Sequence, residues 1–322
     1  MRGAGLVMVE ATAVLEDGRI SPHCLGLWKG EQISGLKRIV DHMHQYGTVA
    51  GIQLSHSGRL GSSIPLDQYK EGASCRSNHD AGGWPDRVYG PSAVPFSDQF
   101  WNPKELSLEQ IEEIQKAFVD AAIRADKAGF DVVDIHAAYG FLLNQFLSPL
   151  SNRRTDQYGG SFSNRIRMLV ETVRQVRQVW PAEKPLFVSI SAVEGAPGGW
   201  TFDETASLAN ILAGEGVDLS EVSEGGNIAD AVIPKDHKYR IKVAKSLNEQ
   251  APGLLIGAVG LLNDAIQANA ILEEQVADAV FSARQFLRNP SFVLSAAHDL
   301  GVDIKWINQY ECARVKQKYS FF

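Results

Sequence analysis

Seven short apolar runs, most of them separated by segments with helical period, constrain this chain more than any other feature. The runs cover residues 5–14, 49–59 with an exit loop, 132–135, 186–192, 217–223, 254–260 and 279–284. All read as strands; Val132–Ile135, a β-branched run, predicts a strand buried on both faces of a parallel sheet, and 5–14 reads as a buried strand as well. Between them, residues 31–46 place Ile33, Leu36, Ile39, Val40 and Met43 at helical spacing before a stop at Gly47. Ser107 and Gln110 form a capping-box pattern opening a helix to residue 127, with Ile111, Ile114, Phe118, Ala121 and Ala122 inward. Residues 164–179, with Ile166, Leu169, Val173 and Val176, and residues 203–215 read the same way. Strand-helix alternation implies the α/β class and a TIM-type (β/α)8 barrel, here with seven strands and therefore incomplete. A chain of 322 residues at 44% hydrophobic suits one such barrel spanning 1–322.

Charge and cysteine content exclude several functions. A net charge of −7 without a clustered basic run argues against nucleic acid as a partner. No apolar run approaches the roughly 20 residues that span a bilayer, and no signal peptide opens the sequence, so no membrane association is expected. Cys24, Cys75 and Cys312 are odd in number and widely spaced, which fits neither a disulfide framework nor a zinc site. A cytoplasmic location and no metal follow as expectations.

The chemistry concentrates after residue 132. The run Val132 to Ile135 ends on His136, and Gly140 breaks it into a loop. An imidazole at the C-terminal end of a buried parallel strand stands where such barrels carry their active sites. The alternative is a core histidine satisfied by a backbone carbonyl. Residues 61–103 are rich in Gly, Pro, Ser and Asp without period, which suggests a capping insertion rather than a linker.

The following segment, Leu147-Ser-Pro-Leu-Ser-Asn-Arg-Arg-Thr-Asp-Gln-Tyr-Gly-Gly-Ser-Phe-Ser-Asn-Arg165, resembles the Old Yellow Enzyme family of FMN-dependent oxidoreductases. It is most similar to the bacterial-type NADPH dehydrogenase and xenobiotic reductase branch. The resemblance covers nearly the whole chain and implies FMN as cofactor, NADPH or NADH as reductant and a small-molecule carbonyl substrate. In the family, His136 and the residue at Tyr139 hold the substrate's carbonyl oxygen; the second is usually His or Asn. A tyrosine usually supplies the proton, but Phe141 occupies that region, leaving Tyr139 or water. The flavin contacts implied are Ala11 beside the ring, Gln53 on the pyrimidine edge, and Ser189 where the family has arginine. Gly260, Ala283 and Arg284 fall at the phosphate site, Ala283 replacing a usual glycine. Two plain alternatives stand beside these roles: a barrel-interior glutamine bonded to a neighbour for Gln53, and a surface ion pair for Arg284.

The same resemblance makes residues 5–14 the second strand of the family barrel, with the first strand and helix absent from this sequence. The tail Trp306-Ile-Asn-Gln-Tyr-Glu-Cys-Ala-Arg314 resembles one whose arginine crosses a homodimer interface, but Cys312 takes that arginine's place. The expected function is an NAD(P)H- and FMN-dependent ene reductase. The alternatives are a redox-neutral epimerase or isomerase in secondary metabolism, with His136 as base and Tyr139 as acid, or an inactive truncated homologue.

Overall fold

A computed structural model describes residues 3–234, 236–260, 262–306 and 308–313. In chain order, β1 (Leu6–Ala13) leads through α1 (Ile33–Gln45) to β2 (Val49–Ser55). The segment after β2 folds as short 3-10 turns closed by the two-residue pair β3 (Tyr89–Gly90) and β4 (Lys104–Glu105), so the capping insertion has structure of its own. Then come α2 (Leu108–Ala128), β5 (Val132–Ala137), α3 (Leu142–Leu147), α4 (Phe162–Arg165), α5 (Arg167–Val179) and β6 (Leu186–Ser191). The chain continues with α6 (Phe202–Gly214), β7 (Leu219–Ser223), α7 (His237–Gln250), β8 (Leu255–Val259), α8 (Ala265–Glu273) and β9 (Ala279–Phe281). Two further helices, α9 (Arg284–Arg288) and α10 (Phe292–Asp299), follow.

Apart from β3 and β4, the strands form one all-parallel sheet in the order β1-β2-β5-β6-β7-β8-β9. Every residue of β5 is buried, because sheet neighbours flank it and helices cover its outer face. The core carries Ile52, Leu54, Val133, Ile135, Val188, Ile190 and Ile256 from the strands, and Phe118, Ala121, Leu169, Val173, Leu208 and Leu247 from the helices. α2 starts where the sequence signals it. Ser107 Oγ accepts from the Gln110 backbone N–H at 3.2 Å, and Gln110 Oε1 accepts from the Ser107 N–H at 3.0 Å. On α1 the inward stripe is Leu36, Val40 and Met43; Ile39, expected inward, is 41% exposed.

Two details shape the mouth. Between Val9 and Thr12 the β1–β2 register slips by one residue, a bulge that leaves Ala11 half-buried beside the ladder. β9 is shorter than the expected 279–284: only Ala279, Val280 and Phe281 pair with β8, so Arg284 opens α9 rather than ending a strand.

The sheet is an open half-barrel among the described residues, since β1 pairs only with β2 and β9 only with β8. α10 partly screens the opening: a Cβ at Gly3, below β1, would stand 2.9 Å from Val293 Cγ1. The outer N–H and C=O rows of the two edge strands still lack ladder partners and can template another strand. The 322-residue chain is therefore expected to self-associate as its concentration rises through the micromolar range. Sedimentation velocity checks this, and a monomer throughout would contradict it.

Candidate active site

His136 stands at the C-terminal end of β5, 3% exposed. The period of two puts it on the same face as Asp134, toward the barrel interior. Its Nδ1 is buried and makes no hydrogen bond among the described residues, so the core-histidine alternative is removed. Burial lowers its pKa to about 3, and the imidazole is neutral at physiological pH. The Phe141 ring packs on it edge-to-face at 4.7 Å, and the Tyr139 ring lies 6.1 Å away.

Tyr139 has φ +53°, a left-handed conformation uncommon for a bulky residue. Contact with the β7 exit loop imposes it: a Cβ on Gly226 would strike the Tyr139 backbone, and one on Gly140 would overlap the Gly226 carbonyl. The Ser191 hydroxyl accepts from the Tyr139 N–H at 3.0 Å. The residue as a whole remains 39% exposed. Burial raises the phenol's pKa, opposed by a hydrogen bond with Ser223 and by the Arg240 charge, so the group keeps its proton.

Below these residues lies a buried polar cluster that pattern reading did not find. Gln53 Nε2 donates to Asp134 Oδ2 at 2.7 Å and to Ser189 Oγ at 3.1 Å; Ser189 Oγ donates to Asp134 Oδ2 at 2.6 Å. Strand pairing sets Ser189 beside both His136 and Glu221. Burial, then the Asp134 charge, raises Glu221 to about 8 against a hydrogen bond from Ser189; burial raises Asp134 as well. Like charges this close cannot both ionise cheaply, so the pair holds a proton at neutral pH. Gln53 thus satisfies its interior alternative through Nε2, while its carbonyl oxygen accepts nothing among the described residues.

At the other end of the mouth, Gly260 has φ +95°, and a Cβ there would overlap Nη1 of Arg240 from α7. Ala283 and Arg284 are exposed, and Arg284 makes no ion pair or hydrogen bond among the described residues, against its surface-pair alternative. Arg240 and its neighbour Glu224 had no sequence signal beyond being charged.

Two arginines of the polar motif at 147–165 are spent on other loops. Arg154 donates to the Pro91 carbonyl at 2.9 Å and the Leu106 carbonyl at 2.7 Å and pairs with Asp156, tying this loop to the cap. Arg165 donates to the Leu147 carbonyl and pairs with Glu204 of α6. Arg59, 2% exposed, donates to the Val94 carbonyl at 3.1 Å and to both oxygens of Asn227, fastening the cap to the β7 exit loop. The tail motif falls partly outside the described residues; Cys312 is exposed in a 3-10 turn. No group of three or more His, Cys, Asp or Glu among the described residues could hold a metal, and no helix is long and apolar enough to cross a membrane.

A neutral histidine and a phenol thus stand at the C-terminal mouth of a parallel α/β half-barrel, where barrels of this class carry their active sites, with the unpaired Arg284 just past the last strand. Residues 1–302 match the NADH:flavin oxidoreductase / NADH oxidase family, and the chain belongs to that family. The family's cofactors are FMN and a nicotinamide reductant. The chain is 41% identical over 309 residues to the NADPH dehydrogenase of Halalkalibacterium halodurans, covering 96% of this chain and 84% of that one. Among solved structures it is similar to morphinone reductase in complex with tetrahydroNAD, at TM-score 0.73 and 26% identity, covering 95% of this chain and 80% of the other. A complex of 2-naphthoyl-CoA reductase shares the fold at TM-score 0.79 and 23% identity; 93% of this chain is covered, but only 45% of that chain.

The residues present fit FMN. Unpartnered guanidinium donors beside the side-chain-free face of Gly260 suit its phosphate, and the open Gln53 carbonyl suits the N–H of a pyrimidine edge. Ser189, an uncharged hydroxyl whose proton is donated to Asp134, offers neither a charge nor a free donor there.

Proposed function

We propose that the protein reduces the carbon–carbon double bond of small α,β-unsaturated carbonyl compounds at the expense of NADPH or NADH. The observation that carries this reading is a neutral His136 at the strand end whose ring makes no hydrogen bond among the described residues, Nδ1 being sealed in and Nε2 the nitrogen left to a ligand. A desolvated imidazole without a protein partner is costly unless a ligand supplies one. FMN, when bound, supplies the two-electron transfer between the nicotinamide and the substrate.

The chain's own residues then act on the substrate's oxygen and on the proton. His136 donates a hydrogen bond to the carbonyl oxygen and draws electron density from the β-carbon. It does so as a neutral donor, since burial keeps the ring unprotonated. Tyr139, its phenol held protonated by burial, is the acid available for the α-carbon. The left-handed turn locked by Gly226 keeps that phenol over the mouth. Phe141, packed edge-to-face on the imidazole, excludes water from that side.

Steady-state assay of the FMN-reconstituted protein with 2-cyclohexenone under nitrogen tests this. NADPH consumption matched by cyclohexanone formation is expected. Conversion of the substrate without NADPH consumption would overturn it in favour of redox-neutral chemistry.

A further inference from the structure

Arg240 lies in the first turn of α7, directly after the β7 exit loop. Its side chain is 19% exposed, and Nη1 occupies the hollow that a side chain on Gly260 would fill. None of its five N–H donors makes a hydrogen bond among the described residues, and Nε is fully buried without a partner. Its one counter-charge is Glu224, whose Oε2 lies 3.3 Å from Nε but is likewise buried without a hydrogen bond. The contact is thus Coulombic and not directional. A buried ion pair offsets its desolvation only when its remaining donors are satisfied, and here they are not. The two Nη groups are not sealed in, so they are the atoms a ligand in the mouth can reach.

We propose that Arg240 is an anion receptor that grips the phosphate monoester of the bound cofactor from the β7 and β8 side, a proposal that rests on the flavin reading above. A phosphate presents three acceptor oxygens to a guanidinium fork and carries close to two negative charges, more than one arginine balances. Arg284, exposed and unpaired just past the neighbouring strand, supplies the second cation. Gly260, with no side chain and φ +95°, leaves the room at the end of β8 in which Nη1 sits. Before the ligand arrives, Glu224 holds the guanidinium in place.

Fluorescence titration of the apoprotein with FMN and with riboflavin, which lacks the phosphate, separates this site from the ring site. Arg240→Ala is expected to weaken FMN about 10- to 100-fold while leaving riboflavin unchanged, the effect of losing charge-assisted hydrogen bonds. Equal affinity of the unaltered protein for the two flavins, or FMN affinity insensitive to Arg240→Ala, overturns the proposal. An insensitive FMN affinity with a raised KM for an acidic enone alone also overturns it, assigning the guanidinium to substrate. If Arg240→Ala loses both flavins, Arg240→Lys decides. Lysine keeps the charge, so recovery of FMN well above riboflavin upholds the proposal, and equal or no recovery overturns it. If the unaltered protein binds neither flavin, the flavin reading fails. Broadening of the inorganic phosphate resonance by the unaltered protein but not by Arg240→Ala then upholds the anion site, and its absence overturns it.

Discussion

Arg-free carbonyl activation by one neutral histidine makes the effect of removing it large: His136→Ala is expected to lower the rate of enone reduction by about 100-fold or more. The group lost is a preorganised donor, and β5 ends one residue later at Ala137, which has no donor side chain to replace it. His136→Asn keeps an N–H donor and should lie between the two proteins. Because burial holds the imidazole pKa at about 3, the rate should show no inflection from His136 between pH 5 and 8. Stopped-flow measurement of the step with 2-cyclohexenone across that range checks both statements. A rate unchanged in His136→Ala would remove this residue from the chemistry.

The second large effect concerns stability and comes from the buried carboxyls. Folded Glu221 keeps its proton up to about pH 8, whereas the unfolded side chain releases it near the ordinary value of 4.5. The folded state therefore binds more protons across that window, and its stability declines as pH rises through it. Glu224, raised to about 7 by burial against the pull of Arg240, acts in the same direction. His136 and His56 act oppositely. Burial lowers them to about 3 and about 4, so their contribution is lost as pH falls below 6.5. Maximum stability is thus expected between pH 4.5 and 6.5, with a decline above 6.5 of up to about 1.4 kcal/mol per pH unit for each carboxyl, ending near pH 7 for Glu224 and near pH 8 for Glu221. Glu221→Gln mimics the protonated form and should flatten the decline, raising Tm at pH 8 by a few degrees. Thermal melts at half-unit steps test it; an identical pH profile in Glu221→Gln would show that this carboxyl is not held protonated.

Strand and helix positions were legible in the sequence because each βα unit writes its own period. The inward residues of α2 and α5, the capping box at Ser107 and the strand end at His136 stand where local pattern puts them. The exceptions are places where distant contacts decide. Ile39 fits a helical stripe, but the sheet covers only the narrower line of Leu36, Val40 and Met43. β9 stops at Phe281 because its partner strand β8 ends opposite it, at Val259.

The site was legible for residues named by motif and silent for those assembled by topology. Asp134 and Glu221 become neighbours only when β5, β6 and β7 lie side by side, and alternation can show that each points inward but not that they meet. Tyr139 owes its turn to Gly226, a contact across the mouth. Arg240 reads as an ordinary cation on a polar helix until Gly260 gives it a hollow to enter. The conspicuous arginines at 154 and 165 proved to be fastenings between loops, their donors consumed by carbonyls and carboxylates.

The most direct test is anaerobic mixing of the NADPH-treated, FMN-loaded protein with 2-cyclohexenone while flavin absorbance is followed. Rapid recovery of the oxidised band, dependent on enone concentration and slowed about 100-fold or more in His136→Ala, is the predicted result. Recovery with oxygen but none with the enone would contradict the role given to His136 and Tyr139.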